Sequence, residues 1–130
     1  MMSSPGVRLA STRAEVLAVH RTLLEAEQVA YERLFGRVSG SGELLKLAIH
    51  DPWFGWLQPV TALIAAMDEL VADDTPDLDQ RVAQFQATAR DLLRADEEGN
   101  DFHQRYFELV QRSPDVALAH GRLTKALSAS

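Results

Sequence analysis

Apolar side chains recur along this chain at three- and four-residue steps, the spacing that lays a stripe down one side of an α-helix. Val16, Val19, Leu23, Ala26, Ala30 and Leu34 trace the first stripe, which predicts a helix from about Thr12 to Phe35. Ser11 or Thr12 can cap it, and Glu15, three residues after Thr12, can complete a capping box. The run Gly36 to Gly42 holds three glycines and two serines, so the helix is expected to stop there.

A second helix is expected from Ser41 or Gly42, carrying Leu44, Leu45, Leu47, Ala48 and Ile49. It then meets Pro52 and Pro59, each of which lacks an amide hydrogen and crowds the carbonyl four residues earlier. Either a new helix starts at Pro52 with Asp51 as its cap, or one helix bends at both prolines. Val60, Leu63, Ile64, Met67, Leu70 and Val71 then resume the stripe. A connection follows at 72–76, and Asp77 with Gln80 offers a capping box for a third helix. Val82, Phe85, Ala89, Leu92 and Leu93 form its buried face, and Gly99 suits a C-terminal cap. Phe102, Tyr106, Phe107, Leu109 and Val110 mark a fourth helix, and Ser113-Pro114 opens a last one through Val116, Leu118, Ala119, Leu123 and Leu127.

No segment alternates apolar and polar residues with the period of two that a strand needs. The pattern therefore predicts an all-α fold: an antiparallel four-helix bundle with a proline-broken second helix and a short C-terminal fifth helix. At 130 residues the chain has the size of one domain, expected over residues 12–130 behind a flexible start at 1–11.

Charge narrows the partners. Thirteen basic against 19 acidic residues give a net charge of −6, which repels a phosphate backbone or an anionic bilayer, so neither nucleic acid nor membrane is expected. The longest uncharged run, Pro52 to Met67, is interrupted by prolines and falls short of the ~20 apolar residues that span a bilayer. The opening residues lack the apolar core of a signal peptide, which points to the cytoplasm. The absence of cysteine excludes disulfides, thiolate metal sites and thiol nucleophiles. Eleven of the 13 basic residues are Arg, a bias that suggests a bacterial, GC-rich origin.

Histidines His20, His50, His103 and His120 fall in four different segments, which a bundle can gather around a metal or haem. None has a Glu three residues before it or a second ligand four residues after it, so the paired-ligand helices of di-iron bundles are missing. A buried, hydrogen-bonded imidazole is the plainer reading of each, and no metal or other cofactor is expected. The acidic groups around Asp68 to Asp79 and Asp96 to Asp101 fit no calcium loop and read as solvated loops and helix caps. Nucleophile-elbow, phosphate-loop and zinc-helix motifs are absent, which leaves enzymatic activity with little support.

The most informative segment is His50-Asp51-Pro52-Trp53-Phe54-Gly55-Trp56-Leu57. Its two tryptophans, three residues apart, share one side of a helix and can line a pocket, fill a core or form a dimer seam. Asp51 can orient His50 as a general base only if the proline break turns the two together. The stretch HDPWFGWLQP followed by VTALIAAMDEL resembles a family of small bacterial helical-bundle proteins over about a quarter of the chain; the resemblance implies an all-helical fold and nothing catalytic. The reading that follows is a non-enzymatic helical protein that forms a homodimer or partner interface through the aromatic second helix, with His50, Asp51, Trp53, Phe54 and Trp56 as ligand or interface residues. The alternative is a ligand-, metal- or haem-binding bundle that uses His20, His50, His103 and His120.

Overall fold

Most of the helical stripes find partners along one long first helix. The computed structural model describes residues 4–72 and 77–128, with the side chains of Val71 and Ala72 left aside. Its elements are α1 (Pro5–Phe35), α2 (Ser41–His50), a 3-10 segment (Pro52–Leu57), α3 (Gln58–Ala72), α4 (Leu78–Leu92), α5 (Asp101–Arg112) and α6 (Pro114–Ser128). The fold is all-α, with no strand among the described residues. No helix among them is long and apolar enough to cross a membrane.

α1 begins at Pro5, seven residues before the expected start. Ser4 is extended and its Oγ accepts from the Val7 amide at 3.2 Å, while Pro5 gives up no hydrogen bond at the first helical position. Residues 5–11 are therefore helical, and Leu9 is buried. Thr12 is no cap: it lies inside the core, where its hydroxyl accepts from Gln86 Nε2 at 3.2 Å. The helix ends at Gly36, whose φ of 95° a side chain would resist and whose amide donates to the Glu32 carbonyl. Its 31 residues span about 46 Å.

Cross-helix pairs fix the directions. Arg13 meets Asp68, His20 meets Thr61 and Glu27 meets Trp56, so α3 and the 3-10 segment descend as α1 ascends. Arg8 with Asp79 and Thr12 with Gln86 show α4 ascending beside the first half of α1. Ser113 ends α5 and its Oγ accepts from the Val116 amide, so α5 and α6 form a hairpin in which Tyr106 faces His120. α6 reaches back along both α1 and α4, where Arg90 donates to the Leu127 carbonyl. The core runs through Val16, Val19 and Leu23 of α1, Phe54 and Leu57 of the 3-10 segment, Val60 and Met67 of α3, Val82 and Ala89 of α4, Tyr106 of α5, and Val116 and Leu123 of α6. Burying each large aliphatic or aromatic side chain there is worth about 1.5–3 kcal/mol.

Two further caps differ from expectation. Asp77 precedes α4 but is not extended and makes no side-chain cap, so the capping box with Gln80 does not form. Gly99 does not close α4, which ends at Leu92 with Leu93 as its C-cap; instead it stands before α5, where Asn100 Oδ1 accepts from the His103 amide at 2.9 Å. His103 Nδ1 in turn accepts from the Asn100 amide at 3.3 Å, which puts the ring proton on Nε2, and Nε2 donates to the Asp91 carbonyl at 2.8 Å. Asp73, Asp74 and Pro76 lie outside the described residues. The acidic neighbours Asp68 and Asp79 pair with Arg13 and Arg8 rather than standing unpaired in solvent.

Candidate functional site

At the far end of α1 the aromatic residues of three elements meet. Asp51 is extended, and its Oδ1 accepts from the Trp53 amide at 2.8 Å, which starts the 3-10 segment at Pro52. Phe54 is carried inward and wholly buried. Tyr31 lies 5.7 Å from Phe54 and 6.2 Å from Trp53 between ring centroids, and Phe35 lies 5.9 Å from Trp53. Trp56 faces the other way, 5.3 Å from Phe102 of α5. The two tryptophans, both half-buried, thus bind the 3-10 segment to different helices, each through tilted or edge-on ring contacts.

A charged group sits within this apolar wall. Glu27 of α1 is half-buried and accepts from Trp56 Nε1 at a long 3.4 Å. Burial raises its pKa above the ordinary carboxylate value, and the indole hydrogen bond and the guanidinium groups of Arg105 and Arg112 offset only part of that. Arg105 lies over Trp56, 5.6 Å from its ring centroid, as a cation–π partner. These residues line a cleft of about 260 Å3. Trp53 Nε1 is buried with no hydrogen-bond partner among the described residues.

The five residues singled out in the sequence divide between core and surface. Phe54 is core, and Trp53 and Trp56 are the aromatic wall. His50 is exposed at the last position of α2, and with Asp51 it borders an open groove of about 890 Å3 beside Glu43, Lys46 and Leu47. Asp51 Oδ1 accepts from the Trp53 amide, and among the described residues no hydrogen bond joins Asp51 to the His50 ring.

The four imidazoles have separate surroundings. His20 meets Thr61 Oγ1 at 3.3 Å, and burial lowers its pKa. His103 caps α5, His120 meets the Tyr106 hydroxyl, and His50 faces solvent. Among the described residues no three His, Asp or Glu side chains come together as a metal site would require.

Sequence reasoning missed the partners that come from afar: Tyr31, Glu27, Phe102 and Arg105. Glu27 carried a faint signal, because it stands four residues after Leu23 and three before Ala30 on the edge of the apolar stripe. It also missed how little of α2 is covered. No α2 side chain is buried, and Leu45 and Ile49, one turn apart, are 62% and 57% exposed. Leu34 and Phe35, at the end of α1, are 66% and 64% exposed.

No family model, curated protein or solved structure matches this chain, so its function rests on the geometry alone.

Proposed function

We propose that this chain is a non-enzymatic cytoplasmic protein that self-associates through α2 and the adjoining end of α1. On this reading its helices form an antiparallel four-helix bundle in which α2, the 3-10 segment and α3 are one helix broken at the prolines. The aromatic 3-10 segment holds α2 on the bundle rather than itself forming the contact, since Phe54 is core and the tryptophans already face Tyr31, Phe35 and Phe102.

One observation carries the proposal: α2 is a formed helix that buries none of its side chains and turns Leu45 and Ile49 to solvent. A ten-residue helix is unstable alone in water, so its amphipathic faces require cover. One face, with Leu44 and Leu47, leans on the core. The other is self-complementary: an antiparallel pair of α2 helices centred on Leu47 sets Leu45 of one copy against Ile49 of the other, as a two-fold interface demands.

Sedimentation velocity over a concentration series tests this. The expected result is a sedimentation coefficient that rises with concentration, and a double variant, Leu45→Glu with Ile49→Lys, that stays monomeric and folded, losing at most the helical circular dichroism signal of α2. A wild-type chain that holds its monomer mass throughout the series overturns the proposal.

A further inference from the structure

A second cleft, away from α2, sets two arginines and a histidine among aliphatic walls. It lies between the end of α4 and the second half of α6 and has a volume of about 300 Å3, the lower edge of the roughly 300–1,000 Å3 typical of small-molecule sites. Leu93, Leu123 and Leu127 give it aliphatic walls, and its ionisable lining is Arg90, Arg94 and His120, with no acidic side chain. In a chain with a net charge of −6 such a lining is locally inverted.

The polar groups differ in how much they are already engaged. Arg90 donates Nη2 to the Leu127 carbonyl at 2.9 Å and so is held across the cleft. Arg94 is about half exposed and is held loosely, by Asp91 at 3.7 Å and Asp96 at 3.5 Å. His120 is oriented by Tyr106, whose hydroxyl lies 2.7 Å from Nδ1. Tyr106 is wholly buried, and burial raises its pKa far above the ordinary phenol value, so the hydroxyl keeps its proton. With no other partner for that hydroxyl among the described residues, it donates to Nδ1, because a buried donor left unpaired is costly. The imidazole therefore carries its own proton on Nε2. That N–H has no partner among the described residues, and burial keeps the ring neutral by lowering its pKa.

We infer that this cleft binds a small amphipathic carboxylate, its head group taken by Arg94 and the His120 Nε2–H and its aliphatic chain laid along Leu93, Leu123 and Leu127. Guanidinium and N–H donors match the carboxylate oxygens, and the leucine walls require a tail that a bare anion lacks. The inference stands apart from the proposed self-association, which uses none of these residues.

Hexanoate is the probe, with hexanol and inorganic phosphate as its controls, read on the histidine ring resonances of the full chain by NMR. The long-range nitrogen–proton spectrum is expected to show His120 as the Nε2–H tautomer, and hexanoate to shift its ring signals saturably. Arg94→Gln, at a partly exposed side chain, is expected to weaken hexanoate about tenfold or more, the loss of one charged hydrogen bond. Hexanol and phosphate are each expected to bind at least about tenfold more weakly than hexanoate. Hexanol binding as well as hexanoate, phosphate binding as well as hexanoate, an unsaturable response, or an Nδ1–H tautomer at His120 each overturns the inference.

Discussion

His103 shows how much a single residue can hold. Its ring accepts from the Asn100 amide on one edge and donates to the Asp91 carbonyl on the other, tying the start of α5 to the end of α4. The ring fits because Gly99 has no side chain: a Cβ there would lie 2.5 Å from both Cβ and Nδ1 of His103. Gly99→Ala is therefore expected to displace the cap and cost about 1–2 kcal/mol, read as a lower urea midpoint. An unchanged midpoint would show that the cap tolerates the shift. Glu27 makes the opposite prediction. Its ionised form is penalised by burial, and a glutamine keeps an oxygen to accept from Trp56 Nε1. Glu27→Gln is expected to be more stable than the wild type near pH 8, with the gap closing as pH falls toward 4.5 and the wild-type carboxyl takes up its own proton. Destabilisation by this substitution near pH 8 would mean that Arg105 and Arg112 outweigh burial.

At the scale of elements, α2 is the least supported helix, with the 3-10 segment as its main neighbour. Local opening follows the number of buried contacts, so the α2 amides are expected to exchange with deuterium well before those of Val16 to Leu23 in α1. Equal protection in dilute protein would contradict this. The elements were legible where an apolar stripe and a boundary signal coincide. Gly36 stops α1, Ser113-Pro114 separates α5 from α6, and the stripe from Val60 to Leu70 is α3. The start of α1 was not legible, because Ser4-Pro5 opens a stretch with only Val7 and Leu9 to suggest an apolar face. The cap of α5 was hidden by its chemistry: a capping box is normally sought with Glu or Gln at its third position, and here His103 supplies the acceptor. At the aromatic end, adjacency drew attention to His50 through Trp56. The residues that give that segment its surroundings, Tyr31, Glu27 and Arg105, lie 22 to 49 positions from the rings they meet and leave no local mark.

For the whole molecule, acid is the most informative perturbation. Burial lowers the pKa of both His20 and His120 below the ordinary 6.5. The unfolded chain thus takes up these protons first, and the stability the two residues contribute is full above about pH 6.5 and is lost as pH falls through their folded values. Glu27, raised by burial, works against this trend at lower pH. The urea midpoint is expected to fall between about pH 7.5 and 5.5. A double variant, His20→Gln with His120→Gln, is expected to flatten that slope. A wild-type midpoint that is flat over this interval would mean that the two rings titrate alike in the folded and unfolded chain.

The long reach of α1 has a consequence for how the protein is made. Its stripe is covered by α3, the 3-10 segment and α4, and most extensively by α6, which leaves the ribosome after α1 to α5. At about 5–20 residues per second, Val16, Val19 and Leu23 wait several seconds for their final cover. Throughout that interval the nascent chain carries an open greasy groove, and it is then, rather than after folding, that holdase chaperones have most to grip.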